Sequence, residues 1–190
     1  MNTAFIGLDY IVDIMHPQGK IAGSAKHAAE RNVITQANRA LAFAKDHGWL
    51  SVLVKVGFTA GYPDQPKHSA MFGRAHEFGA LEQGQDGMEF HPDLRAELAD
   101  MVIVKPRISA FYSTNLEAAL RARKIERVVV AGVSSAWAVQ STVRDAHDRD
   151  YQVVVLEDAC AALNDEEHQS SISLLSRISR IISTDELGQL

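Results

Sequence analysis

Hydrophobic positions in this chain gather into short, nearly unbroken runs separated by longer amphipathic stretches. Four runs stand out: AFIGL at 4–8, SVLVKV at 51–56, MVIVK at 101–105 and RVVVAGV at 127–133. YQVVVL at 151–156 makes a fifth, and RIISTDEL near the end holds a sixth. They are rich in Val and Ile and do not alternate with polar residues, the pattern of strands covered on both faces. Between them, Val33, Ile34, Ala37, Leu41 and Ala44 recur at helical spacing in a stretch that Ser24 opens and Gly48 closes, which predicts one long helix. Thr114 or Asn115 caps LEAALRARK, AWAVQSTVRDAHDRD follows the fourth run, and Asp165 opens EEHQSSISLLSRISR. Strand and helix alternate throughout, so the chain is predicted to be α/β, with a parallel sheet, right-handed crossovers and helices on both faces. Its 190 residues suit a single domain spanning 1–190.

One stretch breaks the rhythm. Residues 57–91, GFTAGYPDQPKHSAMFGRAHEFGALEQGQDGMEFH, are rich in Gly, Pro and aromatics and follow the second predicted strand. Loops of this length in a compact domain are usually functional or mobile, and this one leaves the carboxyl edge of the sheet, where open α/β sheets bind ligands. Phe58, Tyr62, Met71, Phe72 and Phe78 are positioned to form an apolar lid over a substrate. Arg74 or Arg107 is a candidate to meet a substrate carboxylate through two hydrogen bonds.

Composition narrows the function classes. Hydrophobic residues make up 46% and charged residues 23%, ordinary values for a soluble globular protein, and the partner expected under the 57–91 lid is a small molecule. A net charge of −5 with no long basic run argues against nucleic acid or an anionic membrane as partner. The start, MNTAFIGLDYIVD, reads as neither signal peptide nor membrane span, and Cys160 is the single cysteine, so an intrachain disulfide is impossible. A cytoplasmic protein is the simplest expectation. His68, His76 and His91 are spaced too loosely for a metal site, and neither a catalytic metal nor another cofactor is expected.

Three strand ends carry the candidate chemistry. Asp9 follows the first run, Lys105 closes the third, and the Gly132–Ala138 turn follows the fourth. Carboxyl ends of neighbouring strands converge on one crevice in a doubly wound sheet, so Asp9 and Lys105 are placed to meet there. Pairing would offset the cost of desolvating each and would perturb both pKa values. A structural ion pair and an active-site pair both fit this spacing.

The chain resembles the isochorismatase-like hydrolases, which include isochorismatase and the nicotinamidase and carbamoylsarcosine-type cysteine amidohydrolases. The resemblance rests on Asp9 after AFIGL, EFHPDL at 89–94, VKPRISAFYSTNLEAALRARKIERVVVAGVSS and STVRDAHDRDYQVVVLEDACAA, and it is dense from about 89 to 162. It implies a doubly wound, six-stranded parallel sheet in a Rossmann-like three-layer sandwich, and a homo-oligomer. It also implies a catalytic set of Asp, Lys and Cys, which falls here on Asp9, Lys105 and Ala138. In the amidases a thiolate at the helix start attacks an amide carbonyl, and backbone N–H groups of the turn, here Val133, Ser134 and Ala138, hold the oxyanion beside a cis peptide. Ala138 has no lone pair, so that covalent route is closed. Serine catalysis from Ser134, Ser135 or Ser141 needs a base, and His147 lies roughly 18 Å along a continuous helix from Ser135. His68 or His76 would have to come from the long loop. Cys160, in EDACAA, reads as core.

Three functional readings follow from the resemblance. The cysteine-free branch hydrolyses vinyl ethers, with the aspartate protonating the enol ether carbon and water capturing the cation. Alternatively, Ala138 replaces the nucleophile of an amidohydrolase. The third reading is a non-catalytic binding protein on the same fold. The chain also departs from the family pattern. DYIVDI stands where Asp-x-Gln-x-x-Phe is common, and KVGFTAGY stands where metal-binding relatives carry an Asp-x-His pair. Trp137, beside Ala138, is expected either on the pocket wall or in helix packing.

Overall fold

Strand β1 (Thr3–Leu8) is buried along its whole length because it has a parallel neighbour on each side and helices over both faces. It pairs with β2 (Leu50–Val56) on one side and β4 (Arg127–Val133) on the other. β3 (Met101–Lys105) lies outside β2, while β5 (Gln152–Ala161) and β6 (Arg180–Ile182) continue beyond β4. The computed structural model describes residues 1–190, and in it all six strands are parallel in the order β3-β2-β1-β4-β5-β6. This is the α/β sheet that the apolar runs predict. The chain builds outward from β1 to β3 and then returns to β4, so the strand order reverses between β1 and β4. Ligands of open α/β sheets bind at that reversal.

The helices are α1 (Val12–Met15), α2 (Ala25–Glu30), α3 (Val33–Asp46), α4 (Ala75–Phe78), α5 (Leu116–Ala122), α6 (Gln140–His147) and α7 (Asp165–Leu175). The long helix predicted from Ser24 to Gly48 is in fact two. Asn32 adopts a left-handed conformation (φ 53°), which Asn tolerates better than most residues, and this breaks the helix between α2 and α3. Ser24 makes no capping bond with its side chain. The cap of α7 is Asn164, one residue before the expected Asp165, and its side chain accepts from the Glu167 N–H at 2.9 Å.

Residues 57–91, expected as a long lid loop, fold into a packed cap. They contain α4, and Phe58, Tyr62, Phe72, Leu81 and Met88 bury themselves against Ile11 and Val56 in a small apolar cluster of their own. Asp13, which the sequence gives no reason to single out, pins this cap from below. Its buried carboxylate accepts from the Leu81 N–H at 2.8 Å and from the Lys20 N–H at 3.2 Å. Gly87 packs so close that an added Cβ would sit 2.3 Å from that carboxylate. No helix is long and apolar enough to cross a membrane.

Candidate active site

The deepest part of the crevice is an ion pair. Asp9 leaves the end of β1 in a left-handed conformation (φ 57°), which turns its carboxylate over the end of β2, where Oδ1 accepts from the Val56 N–H at 2.6 Å. Lys105, the last residue of β3, reaches across β2 and donates from Nζ to Asp9 Oδ2 and to the Ile108 carbonyl, each at 2.7 Å. Asp9 is 2% exposed and Lys105 1%. Burial pushes the Asp9 carboxyl above its ordinary range, and this outweighs the opposing pull of the Lys105 charge and the bonds from Lys105 and Val56. The carboxyl therefore keeps its proton more readily than an exposed aspartate, which is what a general acid requires.

The turn after β4 forms the second wall. Gly132 has a positive φ of 150°, and a Cβ there would lie 2.4 Å from the Leu8 carbonyl oxygen, so only glycine lets β4 approach the end of β1. The Val133–Ser134 peptide is cis, and a π-helical turn, Ser135–Val139, leads into α6. Ser134 caps that turn by accepting from the Ala136 N–H at 3.1 Å.

Asp9, Lys105, Val133, Ser134, Trp137 and Ala138 line one cavity of about 740 Å³, counting its open mouth. The cap closes the other side with Met71, Phe72, Arg74, Ala75, Phe78 and Leu81. Arg74 therefore stands in the pocket wall, as does Trp137, half of whose surface faces solvent. Phe58 and Tyr62 do not face the cavity. Both are buried inside the cap's own core, and the Tyr62 hydroxyl donates to the Ala80 carbonyl at 2.9 Å. Arg107 also lies elsewhere: it donates to the Pro106 carbonyl at 2.6 Å, sits over the Tyr112 ring, and lines a separate depression with His68.

Behind the turn lies an acid–base chain that sequence reasoning did not find. The Ser135 hydroxyl is 2.7 Å from His168 Nδ1, and His168 Nε2 is 2.7 Å from Glu157 Oε1. Arg31 then donates to the same Glu157 oxygen at 2.5 Å and to the Cys160 carbonyl at 2.9 Å. Facing a carboxylate, Nε2 is the donor, so in a singly protonated ring Nδ1 accepts from the serine. Types and distances are those of a nucleophilic triad, but Ser135 and His168 have no exposed surface, and neither lines the cavity. Ser135 turns away from the ligand space although its neighbour Ser134 borders it. His168 lies 33 residues from Ser135, beyond the reach of a search along one helix. The only available signal was Glu157 and His168 following the fifth apolar run.

Other candidates fall outside the site. Cys160 is fully buried, and burial drives its thiol up to about 12, so it is a core residue with no thiolate to offer. His91 packs edge-on against His16 and His76 against Tyr62. No group of three or more His, Cys, Asp or Glu side chains stands close enough to hold a metal ion.

Comparison with known proteins bears on this geometry. Residues 3–186 match the isochorismatase domain. The chain is 31% identical over 178 residues to the uncharacterized isochorismatase family protein YecD of Escherichia coli O157:H7, covering 93% of this chain and 92% of that one. It is 34% identical over 143 residues to the ureidoacrylate amidohydrolase RutB of Acinetobacter baylyi, covering 73% of this chain and 54% of the relative. Among solved structures, N-carbamoylsarcosine amidase from Thermoplasma acidophilum superposes with a TM-score of 0.79 at 26% identity, covering 98% of this chain and 99% of that one. An isochorismatase family protein from Desulfovibrio vulgaris shares the fold with a TM-score of 0.88 at 24% identity, covering 99% and 97% of the two chains.

Proposed function

The chain belongs to the isochorismatase family of small-molecule hydrolases, and from that premise we propose that it works without a cysteine, with Asp9 as general acid, Lys105 as its charge partner and water as nucleophile. The observation that carries this reading is the pairing of a methyl group at Ala138 with an intact buried Asp9–Lys105 pair on the floor of the same cavity. An amide needs a strong nucleophile at its carbonyl carbon, and nothing at position 138 supplies one. An enol ether needs only a proton on its terminal carbon.

Asp9 gives its proton to the terminal carbon of C=C–O, the C=C pair forms the new C–H bond, and the positive charge is shared by the adjacent carbon and oxygen. Water adds to that carbon and returns a proton to the Asp9 carboxylate, and the hemiketal or hemiacetal collapses to an alcohol and a carbonyl compound. The raised Asp9 pKa supports the first half, and the nearby Lys105 charge supports the carboxylate left behind. The Val133–Ala138 turn borders the same space and would orient the water.

A second reading has its own support. The similarity to RutB and to N-carbamoylsarcosine amidase favours an amidohydrolase frame in which Ala138 stands where a nucleophile would sit. One experiment separates the two: assay the chain on vinyl ethers and on isochorismate, following carbonyl product, and assay Ala138→Cys on small amides. Turnover of an enol ether by the unaltered chain supports the acid mechanism. Silence there together with amide hydrolysis by Ala138→Cys supports the amidohydrolase frame. Silence in both moves a binding role forward.

A further inference from the structure

The cavity is polar only at its two ends. Twelve of its sixteen lining residues are hydrophobic, and the four polar ones are Asp9, Lys105, Ser134 and Arg74. Three of these border the floor, whereas Arg74 is at the mouth with 71% of its side chain exposed. Lys105 is buried and already donates to Asp9 and to the Ile108 carbonyl, so Arg74 is the lining cation whose donors stay open to a ligand at the mouth. Its Nε is held by Glu77 at 2.7 Å and its guanidinium lies 5.0 Å from the centre of the Phe78 ring, while its two terminal nitrogens make no hydrogen bond within the protein. The mouth itself is built from Ile21, Met71, Phe78 and Trp137, large apolar side chains that are all solvent-exposed. Exposed side chains of this size gathered at one opening mark a binding surface.

We infer that the preferred ligand is an elongated monoanion: an uncharged reactive head at Asp9, an apolar middle against the cavity walls, and one carboxylate at the mouth held by Arg74. This rests on the reading of the cavity as the hydrolytic site and names its substrate class. A compact dicarboxylate fits poorly. Its second charge would meet apolar walls or the buried Lys105, whose Nζ already donates to Asp9 and the Ile108 carbonyl, and burying a poorly paired carboxylate is costly. A short neutral amide would leave the apolar mouth and Arg74 unused.

Binding tests this independently of turnover. In a Trp49→Phe background, Trp137 is the sole tryptophan and reports occupancy of the mouth by fluorescence. The probes are ω-ethoxyalkanoates with spacers of increasing length, which have the proposed shape but no double bond to hydrolyse, and their terminal amides. Affinity should rise by about fourfold per methylene until the carboxylate reaches Arg74, then level off. Acids should bind tighter than amides, and Arg74→Gln should erase that difference, a loss of roughly threefold to fivefold for a charge pair at an exposed mouth. A flat length series, a preference for the diacid of equal length, or an acid preference that survives Arg74→Gln would overturn the inference. So would burial of Trp137 by a second copy of the chain, seen as a concentration-dependent signal that excludes the probes. The matched ω-vinyloxyalkanoates separate the two claims. Binding without acetaldehyde release would keep this ligand class and refute the hydrolytic mechanism. Release with no dependence on length or on Arg74 would do the opposite.

Discussion

The Gly132–Ala138 turn has an acid–base constellation on each side, and the two differ in what they face. On one side Asp9 and Lys105 are nearly as buried as core residues, yet both border the open cavity. On the other, Ser135, His168, Glu157 and Arg31 form a longer chain with the residue types of a hydrolytic triad, but its serine is sealed from any ligand. The proposed chemistry follows access, not residue type. The chain behind the turn ties α2, β5 and α7 to the turn, and so holds the wall on which Ser134 and Ala138 meet the cavity.

This contrast can be broken by mutation, most severely at Asp9. Asp9→Asn should lower turnover by about 10³-fold, the scale of a lost general acid, while Ser135→Ala leaves turnover largely intact. Equal losses in the two variants, measured as kcat/KM, would erase the distinction. His168→Ala should instead act on stability. It leaves Ser135 and the Glu157 oxygen without their ring partner and opens a cavity, costing about 3 kcal/mol as a shift in the urea midpoint.

Lys105→Met sharpens the comparison through pH. In the proposed mechanism Asp9 acts in its protonated form, so activity should fall as pH rises through its pKa. Lys105 holds that pKa down, so removing it should move the alkaline limb of kcat/KM to higher pH. A limb that moved to lower pH would contradict the role given to Asp9. The smallest effect belongs to Glu157, which the bond from His168, with Arg31 beside it, holds below its ordinary 4.5. A lowered carboxyl pKa stabilises the fold above the unfolded value, and that contribution is lost as pH falls through the folded one. Glu157→Gln should therefore flatten the acid side of the stability profile, while costing only about 1 kcal/mol near neutrality because Glu157 is partly solvated.

The sheet was legible in the sequence because continuous Val- and Ile-rich runs have few other uses in a chain of this size. All six runs became strands in one parallel sheet. The meeting of Asp9 with Lys105 was legible for a related reason, since both stand where apolar runs end and strand ends converge. The breaks were not. The left-handed turn at Asn32 interrupts a continuous helical spacing, while the Asn164 cap is a local bond to the Glu167 N–H that competes in the sequence with the equally good cap residue Asp165 beside it. Aromatic residues in 57–91 signalled an apolar cap but not which rings face the ligand. Phe78 lines the cavity and Phe58 fills the cap's own core, though both stood out equally as apolar residues in that stretch. Ser135 and His168 were paired by the crossover through β5, a contact between distant segments that no motif spacing announces.

The central claim is that Asp9 delivers a proton to carbon with no thiolate involved. Its most direct test is turnover of an ω-vinyloxyalkanoate in deuterium oxide, with the acetaldehyde analysed by mass spectrometry. The account predicts acetaldehyde carrying one deuterium in its methyl group from the unaltered chain, and no release above background from Asp9→Asn. Release that persists in Asp9→Asn would contradict it, as would an unaltered chain that is inert while Ala138→Cys hydrolyses amides.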